Sequence, residues 1–434
     1  MEIRRLDSTR DDFDTQLNEL LAWDISADSE IEQVVRGVIA DIQQRGDVAL
    51  LEYTAQFDGV EVAAAAELEI SQQALRDALE RIGVDERRAL QAAAERIRDY
   101  HEHQLQSSWS YQDDLGNQLG QRITPLERVG VYVPGGQASY PSSVLMTLVP
   151  ARVAGVGELV VTVPTPGGVR NDMVLAALAI AGADRVFSIG GAQAVAALAY
   201  GTDTVPRVDK IVGPGGAYVA AAKRLVYGQV GIDLIAGPSE ICVVADAHAD
   251  PELLAWDLFS QAEHDAAAQS ILISPQASVL EAVYTTMARL LPDLKRTAIV
   301  AESLARRGAL IKVLDLAEAM TVVNRIAPEH LELNVADPDS WLDAVKHAGA
   351  IFCGPYTGET FGDYVAGPSH VLPTFGTARF ASPLGVYDFQ KRSSVIHMSA
   401  AGAASLADIA VPLATSEGLE AHARAAAIRV KQDN

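Results

Sequence analysis

Hydrophobic residues recur every three or four positions in the first part of the chain, which is the pattern of amphipathic helices. Between residues 29 and 56 the recurring positions are Ile31, Val34, Val35, Val38, Ile39 and Ile42. A second helical pattern covers residues 71–105, with apolar positions at Leu75, Leu79, Ile82, Leu90 and Ile97. Residues 1–26 are rich in charge and lack this periodicity, so the pattern predicts an arm before two long helices.

From residue 129 onward, short apolar runs alternate with helical stretches. The first series predicts strands at residues 129–133, 159–163, 185–189 and 210–212. The second series predicts strands at residues 241–245, 271–273, 309–313, 331–335 and 350–352. Such alternation predicts parallel sheets with helices on both faces, in which ligands bind beyond the carboxyl ends of the strands. An Ala-rich helix is predicted at residues 417–430.

Composition narrows the class of protein. The chain has 434 residues, 49% of them hydrophobic, and a formal net charge of −23. Such an acidic surface repels nucleic acids and anionic membranes. No apolar run is long enough for a membrane span or a signal peptide. Cys242 and Cys353 lie in short apolar runs, where buried thiols are expected. These features predict a soluble, cytoplasmic protein of two or three domains.

Four polar segments contain side chains suited to chemistry. Gln261 and His264 are three apart in a helical stretch, so they share a face and suit one metal ion; a solvated histidine at a helix end is the alternative. Glu329 and His330 follow Pro328 directly. On a regular strand they would point to opposite faces. An irregular backbone would let them act together as acid and base, and a surface pair without function is the alternative.

The other two segments lie near the end of the chain. Asp363 and His370 occupy a Gly- and Pro-rich stretch of the kind that often carries function. Glu417 and His422 are five apart near the last helix. Two glycine-rich loops, at residues 190–194 and 213–218, each follow a strand and open a helix; they suit either phosphate binding or a tight turn.

Eight segments, taken in order over about 300 residues, together resemble the histidinol dehydrogenase family. They are VGVYVPGG, GGAQA, AGPSE, SQAEHD, APEHLEL, GDYVAGPSHVLPT, DFQKR and EGLEAHA. The resemblance covers essentially the whole chain. It implies a zinc-dependent enzyme that oxidises L-histidinol through L-histidinal to L-histidine with two NAD⁺.

The resemblance also implies a role for particular residues. The implied zinc ligands, for one Zn²⁺ per subunit, are Gln261, His264, Asp363 and His422. The implied catalytic pair is Glu329 and His330. The implied substrate contacts are Ser239, Gln261, His264, His330, Asp363, His370, Glu417 and His422. The implied NAD contacts are Tyr132, Gln193 and Gly216, where Gly216 replaces the asparagine that is usual in the family.

The fold that the resemblance implies is α/β, with two Rossmann-like parallel-sheet domains, one inserted in the other. The implied divisions are an N-terminal arm (1–26), a first α/β domain with the zinc and catalytic residues (27–131 and 238–384), a second, NAD-binding α/β domain (132–237) and a C-terminal dimerisation segment (385–434). The resemblance further implies that both arms are exchanged in a homodimer with shared active sites. Two other functions compete with this one, an NAD-dependent dehydrogenase of another small polyol and a non-enzymatic sensor that binds zinc or NAD.

Overall fold

The computed structural model describes residues 1–22, 28–135 and 140–430, and its helices and strands alternate along most of this length. The strands are β1 (Arg4–Asp7), β2 (Glu69–Ile70), β3 (Trp109–Gln112), β4 (Gln118–Pro125), β5 (Arg128–Tyr132), β6 (Glu158–Thr162), β7 (Arg185–Phe187), β8 (Lys210–Val212), β9 (Gly231–Ile232), β10 (Glu240–Ala245), β11 (Gln269–Ser274), β12 (Ala309–Lys312), β13 (His330–Asn334), β14 (Ala350–Cys353) and β15 (Gln390–His397). The helices are α1 (Phe13–Leu21), α2 (Asp28–Arg45), α3 (Asp47–Tyr53), α4 (Gln72–Arg81), α5 (Val84–Glu102), α6 (Pro141–Val153), α7 (Asp172–Ala181), α8 (Gly191–Tyr200), α9 (Ala217–Val226), α10 (Pro251–Ala262), α11 (Ala277–Leu290), α12 (Thr297–Arg307), α13 (Leu316–Ile326), α14 (Glu359–Tyr364), α15 (Ala400–Ser416) and α16 (Glu420–Arg429).

Two six-stranded sheets form the centre of the fold. Sheet 1 has the order β1-β12-β11-β10-β13-β14, and all its strands are parallel. Sheet 2 has the order β2-β7-β6-β5-β8-β9 and is parallel except for β2. Strands such as β10 are buried along their whole length, because helices cover both faces of a parallel sheet. The nine strands predicted from the apolar runs are all present, and the prediction of an α/β fold is confirmed.

The first residues of the chain belong to sheet 1 and are not a free-standing arm, contrary to the prediction for residues 1–26. Strand β1 pairs with β12 at the edge of the sheet. Helix α1 buries Phe13, Leu17 and Leu20 in the core beside β11 and β12. A four-residue edge strand and a nine-residue helix are too short to show clear periodicity among so many charges. Residues 23–27, the rest of the predicted arm, lie outside the described part of the chain.

Helices α2, α4 and α5 pack on sheet 2, although the expected division placed residues 27–131 with residues 238–384. Val35 and Ile39 of α2 share a core with Tyr132, and Leu75 of α4 and Ile97 of α5 share another with Val131. Helical periodicity indicates that a face is buried but does not indicate which sheet covers it. Each predicted long helix is also two helices, divided at Gly46, which has φ 53°, and at the residues before Val84.

A third sheet was absent from the prediction. Strands β15, β4 and β3 pair antiparallel in that order, so the C-terminal segment is joined to a hairpin early in the chain. Helices α15 and α16 follow β15, where a single helix at 417–430 was predicted. In the described ranges no helix is both long enough and apolar enough to cross a bilayer.

The relation between sheets 1 and 2 determines where a site can form. Residues 233–239 connect the carboxyl end of β9 in sheet 2 to the amino end of β10 in sheet 1. Within this connection the amide of Gly237 donates to Thr374 Oγ1 at 2.7 Å. The carboxyl edge of one sheet therefore adjoins the amino edge of the other.

Candidate active site

Glu329 and His330 lie together at the amino end of β13. The backbone is irregular just before them, because Ala327 adopts a left-handed conformation with φ 51° and Pro328 follows. As a result, Glu329 Oε2 lies 3.7 Å from His330 Nδ1, and both side chains are buried. The backbone is therefore irregular at the point where the pair needs it in order to act together. This point lies at the amino edge of sheet 1, and not at the carboxyl edge where ligands of parallel sheets were expected.

The start of β10 holds both members of the pair through its backbone. The amide of Glu240 donates to Glu329 Oε2 at 2.8 Å, and His330 Nδ1 contacts the carbonyl oxygen of Glu240 at 3.0 Å. Because a carbonyl oxygen can only accept, His330 carries a proton on Nδ1 in this contact, and in the neutral imidazole the lone pair therefore lies on Nε2. Burial raises the pKa of Glu329 to about 8.

Helix α14 brings two carboxylates to the same imidazole. Glu359 Oε1 lies 3.8 Å from His330 Nδ1, and Asp363 Oδ1 lies 3.7 Å from Nε2. The two acids are four residues apart and therefore share a helix face. Burial disfavours the charged imidazole, but the carboxylates of Glu359, Glu329 and Asp363 outweigh it and raise the pKa of His330. One donor atom each of His330, Glu359 and Asp363 lies within 4.8 Å of the others.

Gln261 and His264 join this cluster from the end of α10. Gln261 is fully buried, and its amide satisfies its surroundings when the oxygen accepts from His264 Nδ1 at 3.1 Å and the nitrogen donates to Glu359 Oε1 at 3.0 Å. The contact between the two residues is the one that their helical spacing predicts. Amide and carboxylate oxygens with imidazole nitrogen are donors that Zn²⁺ accepts. The buried Nε2 of His330, which has no hydrogen-bond partner among the described residues, indicates further unused donor capacity beside Asp363.

The other expected substrate contacts divide into two groups. Ser239 directly precedes β10, and His370 lies in the loop after α14, where burial lowers the pKa of its imidazole. Glu417 and His422 are exposed, Glu417 at the end of α15 and His422 in α16. Across the described ranges no hydrogen bond or ion pair joins these last two residues to the cluster around His330. A single chain therefore brings together the expected site residues near sheet 1 but does not bring Glu417 and His422 to them.

The expected cofactor residues lie at the carboxyl edge of sheet 2. Tyr132 ends β5, and its hydroxyl accepts from the amide of Gly191 at 3.2 Å. Gln193 is buried in the first turn of α8. Gly216 is the N-cap of α9, and a Cβ added there would meet no atom within 4 Å.

Three further residues that the sequence did not single out shape this region. Asp58 Oδ2 accepts from the amides of Gly190 at 3.2 Å and of Gln193 at 3.4 Å, and burial raises the pKa of Asp58. Lys223 and Asp233 form a buried ion pair that holds both backbone polar groups of Gly213, because Lys223 Nζ donates to the Gly213 carbonyl and Asp233 Oδ2 accepts from the Gly213 amide. In the sequence, this pair is indicated by a lysine at a position of α9 where an apolar residue is expected.

Comparison with known proteins identifies the family. The family model described as histidinol dehydrogenase matches residues 23–430. The histidinol dehydrogenase of Pseudomonas aeruginosa is 60% identical over 99% of this chain and 97% of its own length, and that of Chromobacterium violaceum is 60% identical over 98% of both. The crystal structure of histidinol dehydrogenase from Elizabethkingia anophelis superposes with a TM-score of 0.93 at 30% identity, covering 99% of this chain and 98% of the other. The chain belongs to the histidinol dehydrogenase family and is an NAD-dependent oxidoreductase.

Proposed function

We propose that the protein oxidises L-histidinol to L-histidine through L-histidinal, with two NAD⁺ and one zinc ion per subunit. The observation that carries this proposal is the single buried cluster of Glu329, His330 and Asp363, in contact through Glu359 with the Gln261–His264 pair. It combines an acid–base pair with metal-donor atoms in a chain of this family. The reaction needs both, since each oxidation step removes a proton and the substrate must be held while two cofactors bind in turn.

Gln261, His264, Asp363 and His422 would hold the metal. Zinc, when bound, would orient the substrate and polarise its oxygen, and it has no redox chemistry of its own. Ser239, His370 and Glu417 would contact the substrate. Tyr132, Gln193 and Gly216 would line the path of NAD at the facing edge of sheet 2.

His330 is proposed as the general base of both oxidations. The Glu240 carbonyl holds the proton on Nδ1, so in the neutral imidazole the lone pair on Nε2 would take the proton of the alcohol and later that of the aldehyde hydrate. Glu329 is proposed to activate the water that adds to the aldehyde. The Glu240 amide fixes one of its carboxylate oxygens and leaves the other to contact water.

A homodimer with shared sites is part of the proposal. The supporting observation is that Glu417 and His422 lie on α15 and α16, whose apolar residues Ile409, Leu413 and Ile428 are exposed in the single chain. A second copy would cover these residues and receive both polar ones. We place the enzyme in the cytoplasm, because Cys242 and Cys353 are free thiols.

NADH formation tests this function directly. Activity is expected with L-histidinol, should disappear when a chelator removes the metal, and should return with Zn²⁺. Mn²⁺ or Co²⁺ are also expected to restore activity, since the ligands are hard or borderline donors. Oxidation of simple polyols in preference to histidinol would favour the competing dehydrogenase, and full activity in protein that elemental analysis finds metal-free would refute the zinc assignment.

A further inference from the structure

Two acids that the proposed mechanism does not use lie behind helix α14. Asp257 is on α10, and Glu332 is on β13, two residues after His330 and on the same face of the strand. Glu332 is only 2% exposed. The carboxyl groups of Asp257 and Glu332 hydrogen-bond to each other, and Glu332 Oε1 also accepts from the backbone amide of Glu359 at 2.8 Å.

A hydrogen bond between two carboxyl groups needs a proton on one of them, because an ionised carboxylate can only accept. Burial favours this state, since it raises the pKa of Asp257 to about 6 and raises that of Glu332 well above its usual range. The third acid that faces the pair, Glu359, raises the pKa of Glu332 further. The pair therefore holds one proton between two oxygens that would otherwise repel.

The pair contacts the backbone at the point where α14 begins. A Cβ added to Gly358 would lie 2.9 Å from Asp257 Oδ1, so the carboxyl group packs directly against this residue. Gly358 is the N-cap of α14 and provides no side chain to cap the helix. Glu332, which is distant in sequence, accepts from the amide of Glu359, one of the first-turn amides that have no partner within the helix.

Packing alone does not fix this end of α14. The segment between β14 and α14 borders a cavity of about 440 Å³, lined by Asp257, Asn334, Gly354 and Phe361 among others. Tyr356, in the same segment, is 91% exposed. A six-residue helix with a cavity at its start depends on hydrogen bonds for its position.

We propose that Asp257 and Glu332 are positioning residues that together fix the start of α14 and thereby hold Glu359 and Asp363 against His330. The carboxylates of α14 approach His330 at 3.8 and 3.7 Å, so a small displacement of the helix would disturb the imidazole and the proposed metal ligand Asp363 together. The importance of Asp363 rests on the proposed function, whereas the contact between the pair and α14 is independent of that function.

Hydrogen exchange followed by mass spectrometry tests the pair on the metal-free full-length protein without substrate. In Glu332→Ala the amide of Glu359 loses its acceptor, so peptides covering residues 357–365 are expected to exchange about tenfold faster. Glu332→Gln keeps an acceptor for that amide and provides a permanent donor to Asp257, so its exchange should match the wild type. Unchanged exchange in Glu332→Ala would overturn the proposal.

Kinetics provide the second readout and a matched control. Glu332→Ala should lower kcat for histidinol about tenfold or more with the KM for NAD unchanged, and Glu332→Gln should restore kcat. The control is Asp315→Ala, which removes the side chain that caps α13 by accepting from the Glu318 amide at 2.8 Å. It should lower thermal stability without changing kcat.

If Glu332→Ala does not fold, Asp257→Ala replaces it and should give the same faster exchange at residues 357–365. Normal exchange and normal kcat in that variant would equally overturn the proposal. Faster exchange in a protein that does not oxidise histidinol would sustain the positioning role and reject the proposed function instead.

Discussion

At the scale of single residues, the main feature is that two neighbours in sequence act at one point. Glu329 and His330 share the amino end of β13 because the backbone before them is irregular, and the backbone of Glu240 holds both. The amide fixes the carboxylate, and the carbonyl fixes the tautomer of the imidazole. Their different hydrogen bonds support the different chemical roles proposed for them, which single substitutions can separate.

Glu329→Gln and His330→Asn are expected to affect different steps. Loss of a positioned base typically costs about 10²–10⁴ in rate. Glu329→Gln should slow oxidation of the aldehyde more than that of the alcohol, because only the aldehyde step requires activated water. His330→Asn should slow both. Separate assays with histidinol and histidinal measure the two steps, and equal, mild losses in both variants would show that the roles are assigned incorrectly.

Glu240 provides a test of buried charge through the pH dependence of stability. Its carboxylate accepts from the Phe375 amide at 2.8 Å, and burial raises its pKa from 4.5 to about 7. A raised pKa in the folded state means that the folded protein holds the proton more tightly than the unfolded chain. This stabilisation is complete below about pH 4.5 and is lost as pH rises through about 7.

Glu240→Gln keeps the acceptor for Phe375 but cannot ionise. The thermal midpoint of the metal-free wild type should therefore fall between pH 5.5 and 8 by more than that of the variant, as differential scanning calorimetry can measure. A fall of equal size in both proteins would show that Glu240 titrates normally.

At the scale of elements, strand ends and the loops after them carry the functional groups. Apolar runs and glycine-rich junctions are visible in the sequence, so nine strands and the loops at Gly190 and Gly213 were predictable. Partners across the fold were not predictable, because no local pattern shows that Asp58 faces Gln193 or that Glu332 accepts from the first amide of α14. Glu359 could have been predicted from its position four residues before Asp363, because a helix would place both acids on one face.

The loop before α9 supports a prediction about the cofactor side. Gly216 has φ −63° and ψ 178°, which any residue adopts, and open space surrounds the position of a Cβ. Asparagine is also a better N-cap than glycine, typically by a few tenths of a kcal/mol. Gly216→Asn should therefore leave the KM for NAD unchanged or lower it and raise the thermal midpoint slightly. A large rise in that KM would show that the pocket is built around glycine.

At the scale of the whole molecule, the site lies where the amino edge of sheet 1 adjoins the carboxyl edge of sheet 2. This arrangement places the acid–base pair on one domain and the expected cofactor residues on the other. The sequence order of strands predicted two sheets but not their relative orientation, which depends on the connection through residues 233–239. Nor did local pattern show that helices α2, α4 and α5 cover sheet 2.

Complementation tests whether the site needs two chains. Gln261→Ala and His422→Ala should each be inactive alone. In a mixed dimer with shared sites, one site receives both substitutions and the other receives neither. Random mixing makes about half of the dimers mixed, so roughly a quarter of all sites should be intact, by two-fold symmetry. NADH formation after joint refolding measures the recovery, and no recovery in mixed dimers confirmed by differential tags would mean that each chain builds its own site.

The pairing of β15 with β4 has a consequence for synthesis. Gln390 lies opposite Pro125, so β4 must wait for a partner that is made about 265 residues later. At about 5–20 residues per second, its outer edge stays open for roughly 15–50 s on the ribosome. Arg122 within the strand and Pro125 at its end are features that discourage pairing with the wrong chain during that interval. A nascent chain can thus complete both large sheets before the segment with Glu417 and His422 leaves the exit tunnel, and a prematurely terminated product would lack these two proposed site residues.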